Sequence, residues 1–163
     1  MKDKIFTLAN LLTFSRLVLT FIFIYLISRE QIIPAIICLL LAGLSDLLDG
    51  YVARKLNQVS EYGRIFDTAV DGIFLTLTSL SLLAYDYINI GIVIIFLVGG
   101  AIRCFSYIKK DKISPTIFSK AVVVLIYALM ILSLTEEMIF NLVKWPVAGY
   151  HLVISSIDLY RKL

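Results

Sequence analysis

One histidine and two cysteines in 163 residues leave little from which to build a metal centre of His and Cys ligands. Cys38 and Cys104 stand in separate apolar runs, with no C-x-x-C pair and no Cys/His spacing, so both read as packing residues. His151 alone cannot supply a zinc site of the usual kind, which draws on several His and Cys ligands. Charge is scarce as well: Asp, Glu, Lys and Arg make up 17% of the chain, and a net charge of +3 gives no support to a nucleic-acid surface. No internal repeat and no low-complexity tract interrupts the sequence, and no polar stretch is long enough for a separate soluble domain.

What is abundant is apolar. Hydrophobic residues reach 60%, against about 45–50% in ordinary soluble domains, and the mean hydropathy is +0.94. The expected fold class is therefore an all-α integral membrane protein, because backbone polar groups in lipid must be satisfied within their own segment. Six apolar segments fit the length, at about residues 8–28, 31–53, 64–84, 88–108, 116–134 and 138–157, each near the ~20 residues that a span requires. One membrane domain over 1–163 is the simplest organisation. The stretch from Met1 to Ile27 carries Arg16 inside its apolar run and lacks a small-residue cleavage site, so it reads as a first membrane helix and not as a leader.

Six spans place both termini on one side. Lys2, Lys4, Arg54, Lys55, Arg64, Lys109, Lys110, Lys112, Lys120, Arg161 and Lys162 all fall on that side, whereas the opposite loops offer Arg29 beside Glu30, Asp86, Glu136 and Glu137. By the positive-inside rule the basic side is cytoplasmic, which predicts a multi-pass protein of the cytoplasmic membrane with both termini inside.

Against this background the acidic residues are conspicuous. Asp46 and Asp49 are three apart near the end of the second segment, and Asp67 and Asp71 are four apart near the start of the third. On helices, each pair projects from one face. Arg16 and Arg103 fall at the same depth. An ionisable residue in a membrane costs about 2.5–3.5 kcal/mol on insertion scales, so a cluster of them needs a cause. Salt bridges to Arg16, Arg54, Arg64 and Arg103 are one cause, but acids that face one another repel unless a cation neutralises them. A cation pathway is another, although such pathways favour the midplane of broken helices in repeated halves. Converging carboxylates are hard-oxygen ligands suited to magnesium or manganese, and this is the favoured reading, with an active site that faces the cytoplasm.

The pattern Asp46-x-x-Asp49-Gly50-x-x-Ala53-Arg54, eight residues, Gly63-x-x-x-Asp67-x-x-x-Asp71 resembles the complete signature of the CDP-alcohol phosphatidyltransferases. The stretch Asn10-Leu-Leu-Thr13-Phe-Ser-Arg16 is similar to the start of the first helix in the phosphatidylglycerophosphate and cardiolipin synthases of that family. The resemblance implies transfer of a phosphatidyl group from CDP-diacylglycerol to a polar alcohol, with CMP leaving. It implies Mg2+ or Mn2+, as two ions, on Asp46, Asp49, Asp67 and Asp71, with Asp71 also acting as base on the acceptor hydroxyl. Gly50, Ala53 and Arg54, with Asn10 and Thr13, would then contact the CDP-lipid. Arg16, Arg103 and Lys120 are candidates to hold an anionic acceptor, for which glycerol 3-phosphate is the first choice and phosphatidylglycerol, serine or inositol phosphate are alternatives. A homodimer is expected from the resemblance alone. Phospholipase D-like synthases need two H-x-K-x4-D motifs, which a chain with His151 alone cannot supply. A cation-coupled transporter and a catalytically silent membrane scaffold are the readings outside enzyme chemistry.

Overall fold

Six α-helices and no strand make up the described residues of the computed structural model, which are 7–56, 60–109, 117–135 and 137–160. They are α1 (Leu8–Ser28), α2 (Ile32–Lys55), α3 (Glu61–Ala84), α4 (Ile90–Lys109), α5 (Ile117–Thr135) and α6 (Glu137–Tyr160). Each coincides with one predicted apolar segment to within a few residues. Residues 57–59, between α2 and α3, lie outside the described residues, and α3 opens at Glu61.

Local chemistry marks the helix ends. Thr7 caps α1, its hydroxyl accepting from the Asn10 amide at 3.1 Å. Ser60 does the same for α3 through the Gly63 amide at 3.0 Å, and the Asn89 side chain serves α4 through the Ile92 amide at 3.1 Å. Pro34 sits in the first turn of α2, where its missing N–H has no helical acceptor to lose. Two tight reversals follow α1 and α3, with Glu30 at φ 57° and Asp86 at φ 61°.

The chain forms two compact units, Met1–Phe74 and Leu75–Leu163, and α3 runs through the boundary. In the first, α1 packs along α2. The buried stripe of α1 is Thr13, Arg16, Thr20, Phe23 and Ile27, at helical spacing, while Leu11, Phe14, Phe21 and Tyr25 are exposed. The inner stripe is polar from Thr13 to Thr20 and apolar beyond, while the outer face is apolar, an arrangement that suits lipid and not water. Opposite the stripe, α2 buries Ala35, Cys38, Ala42 and Ser45, whose small side chains let the helices approach closely. The burial of Cys38 agrees with a packing role.

In the second unit, α4 and α5 each pack on α6. Phe96, Ile92, Val122, Met130 and Ala148 are buried there, and so is His151, whose ring stands edge-on to Phe96 at 5.9 Å between centroids. The imidazole lies directly on the backbone of α4: a β-carbon added to Gly99 would fall 2.2 Å from Cε1.

Helices α2 and α3, and α1 from Asn10, are long and apolar enough to cross a membrane. In α4 and α5 the described apolar stretches are shorter, Ile90–Ile102 and Ala121–Thr135. With Ile33 and Leu142 about three-quarters exposed at 74% and 77%, the outer faces are those of a membrane protein.

The Gly99 contact gives a paired test. Gly99→Ala should cost about 1–3 kcal/mol of stability, because the His151 ring must leave its seat. Gly149→Ala, which meets nothing within 4 Å, should be neutral or gain up to about 1 kcal/mol from helix propensity. Thermal unfolding of the two variants in detergent measures the contrast.

Candidate metal centre

The first unit gathers its charge at one end of its helices. α2 carries Asp46 and Asp49 three residues apart near its C-terminal end, and α3 carries Asp67 and Asp71 four apart in its first half. Each pair therefore shares a face. α1 contributes Asn10, Thr13 and Arg16, again at helical spacing, and Arg16 is completely buried.

Arg16 touches all four acids. Its Nη2 lies 2.8 Å from Asp49 Oδ2 and 3.1 Å from Asp46 Oδ1, while Nη1 lies 3.4 Å from Asp67 Oδ1 and also bonds Asp71 Oδ1. Four carboxylates against one guanidinium leave a formal excess of three negative charges. Thr13 Oγ1 donates to Asp49 Oδ2 at 3.1 Å, so that one oxygen takes hydrogen bonds from two α1 side chains.

Asp46, Asp49 and Asp67 each present a carboxylate oxygen, and the three oxygens lie within 4.8 Å of one another. Oxygens on opposite sides of a magnesium ion are about 4.2 Å apart, at about 2.1 Å per bond. Only one pair among three octahedral ligands can stand opposite, and the other pairs close to about 3 Å, so the carboxylates must draw together around one ion. The donor set is all oxygen and strongly anionic, which fits magnesium or manganese and not a soft metal. Asp71 is outside this three-oxygen group and joins it through Arg16 Nη1.

The remaining signature residues border the acids. Arg54 folds back over Gly50, one helical turn earlier, with Nη1 3.5 Å from where a Gly50 β-carbon would be. Arg54 itself is exposed and Ala53 half-buried. The Asn10 carboxamide oxygen would lie 3.1 Å from a β-carbon on Gly63, so glycine there admits the start of α1. Arg103 and Lys120 lie in α4 and α5, and their side chains are outside the described set. The sequence treated Arg16 either as one partner among several arginines or as an acceptor ligand, and the structure joins it to four acids at once. Two further contacts went unread: the Thr13–Asp49 bond and the seating of Asn10 on Gly63. The i, i+3, i+6 spacing of Asn10, Thr13 and Arg16 was the available signal for both.

Comparison with known proteins bears on the same residues. The family model for CDP-alcohol phosphatidyltransferase matches residues 6–156. A CDP-diacylglycerol–glycerol-3-phosphate 3-phosphatidyltransferase of Aquifex aeolicus is 39% identical over 80 residues, 49% of this chain and 43% of that protein. A cardiolipin synthase (CMP-forming) of Streptomyces coelicolor is 36% identical over 86 residues, 49% of this chain and 40% of its own length. A chloroplastic CDP-diacylglycerol–glycerol-3-phosphate 3-phosphatidyltransferase of Oryza sativa is 29% identical over 107 residues, 62% of this chain and 32% of that protein. The matched region spans less than half the length of each of these relatives.

Thr13→Val should remove a buried hydrogen bond to a carboxylate and cost about 1.5–3 kcal/mol. Thr13→Ser should restore most of it. Unfolding curves of both variants in detergent decide the point.

Proposed function

The chain belongs to the CDP-alcohol phosphatidyltransferase family, and from that premise we propose that it transfers a phosphatidyl group from CDP-diacylglycerol to a small polar alcohol, releasing CMP. The observation that carries this reading is the convergence of Asp46, Asp49 and Asp67 on one point at one end of apolar helices, with Asp71 alongside. Such a site suits a substrate with an anionic head and a lipid tail. We take the whole chain as one membrane-embedded catalytic domain of six spans, with the basic loops, both termini and the site on the cytoplasmic side. A homodimer is part of the same reading and rests on the family alone.

In this mechanism Asp46, Asp49 and Asp67, with Asp71 at their edge, would hold Mg2+ or Mn2+ as two ions. Such ions would supply positive charge against the diphosphate and the departing CMP. Arg54 adds a guanidinium to the same phosphates, and Gly50 and Ala53 keep the approach to α2 open. Asn10 and Thr13 border the same end of the site. Asp71 accepts the proton from the acceptor hydroxyl while that oxygen attacks the phosphorus carrying the diacylglycerol. One P–O bond forms as the P–O bond to CMP breaks. Direct displacement is supported by the absence, among the described residues, of a Ser, Cys or His placed to act as a covalent nucleophile beside the carboxylates.

Glycerol 3-phosphate is the preferred acceptor, with Arg16, Arg103 and Lys120 as candidate partners for its phosphate. Two relatives with that acceptor in their names support the choice. Cation transport would call for carboxylates on broken helices, and α2 and α3, which carry these aspartates, are continuous.

Purified protein with CDP-diacylglycerol should release CMP only when both a divalent ion and an acceptor are present, and EDTA should stop it. A panel of alcohols with mass analysis of the product identifies the acceptor. Metal-independent release, or none with any acceptor, overturns the proposal. Asp71→Asn should lower turnover at least about 100-fold, within the range of a lost general base, while CDP-lipid binding changes only a few-fold. Near-normal turnover would remove Asp71 from the role of base. Arg103→Ala should raise the acceptor KM more than the CDP-lipid KM, and equal effects on the two would withdraw Arg103 from the acceptor.

A further inference from the structure

The guanidinium of Arg16 stands among the carboxylates and not behind them. Nη2 bridges Asp46 and Asp49, on α2, at 3.1 and 2.8 Å, and Nη1 reaches across to Asp67 and Asp71 on α3. Asp46, Asp49 and Asp67 are also the three whose oxygens lie within 4.8 Å of one another. Arginine remains charged under all ordinary conditions, so it cannot make way for another cation by losing a proton. It can only move.

We propose that Arg16 is a resident counter-ion that competes with the divalent metal: it ties the four carboxylates together in the metal-free protein and withdraws from Asp46, Asp49 and Asp67 when the ion enters. The inference rests on the reading of these aspartates as metal ligands. Its physical basis is charge. Four carboxylates among apolar helices repel one another, and a completely buried guanidinium spanning all four lowers that repulsion before any metal arrives. A second cation drawn to the same oxygens then meets the positive charge of the first. Withdrawal leaves Asp71, the carboxylate outside the three-oxygen group, as the nearest remaining partner of Nη1.

The alternative is that Arg16 is a supporting residue that orients the ligands. The two roles predict opposite signs. Loss of a supporting residue typically weakens metal binding about 10–100-fold, whereas loss of a competitor strengthens it. Mn2+ binding to purified full-length protein, followed by electron paramagnetic resonance without lipid substrate, separates them.

For Arg16→Gln, Mn2+ affinity should rise about tenfold or more, the unfolding temperature in EDTA should fall, and saturating Mn2+ should raise that temperature more than in the unaltered protein. Arg16→Lys keeps one positive charge but cannot span four acids, so its Mn2+ affinity should rise by less. It also carries the test if the glutamine variant does not fold. Unchanged or weakened Mn2+ binding in whichever variant folds overturns the competition while leaving the metal centre standing. Failure of the unaltered protein and of both variants to bind Mn2+ removes the metal reading and this inference together.

Discussion

Four carboxylates in an apolar setting cannot be left to repel one another, and the contacts of Arg16 answer that constraint. The organisation of the first unit follows from it. A guanidinium that reaches Asp46, Asp49, Asp67 and Asp71 must enter from a helix packed closely against α2. The small buried residues Ala35, Cys38, Ala42 and Ser45 permit that approach. The rest of the α1 stripe is divided by depth: Thr13, Arg16 and Thr20 serve the charged end, and Phe23 and Ile27 fill the apolar end. One helix face thus carries both the packing and the polar support.

The signature glycines have local steric reasons beside any substrate role. Gly63 leaves room for Asn10, and Gly50 lies beneath the Arg54 side chain. A substrate phosphate near Arg54 would meet a guanidinium on an exposed turn, whereas Arg16 is completely buried. Exposure therefore separates two arginines that share a charge. Arg54 is placed to meet a ligand from outside, whereas Arg16 sits among the aspartates.

The second unit uses its polar residues differently. His151, the one histidine of the chain, is buried against Phe96 and the backbone at Gly99. Its surroundings are those of a packed side chain. Thr78, Ser79 and Ser81 are buried in the same unit, with hydroxyls that bond to carbonyls of their own helix. Ser79 and Ser81 satisfy themselves locally, while the Thr78 hydroxyl also faces Met130 Sδ of α5 at 3.9 Å.

Much of this was legible in the chain alone, because lipid enforces a simple code. Uninterrupted apolar runs must be helices, and acids spaced three and four apart on helices must share faces, so six elements and the four aspartates could be named from residue order. The signature from Asp46 to Asp71 carried the family for the same reason, since it records helix periodicity directly. Which side chains meet across helices is a different kind of information. That one arginine serves four acids, that Thr13 shares an Asp49 oxygen with it, and that Gly99 exists to seat His151 depend on the rotation and closeness of packed helices. Spacing along one chain sets a side chain's face but not its partner, and only the tertiary structure decides the partner.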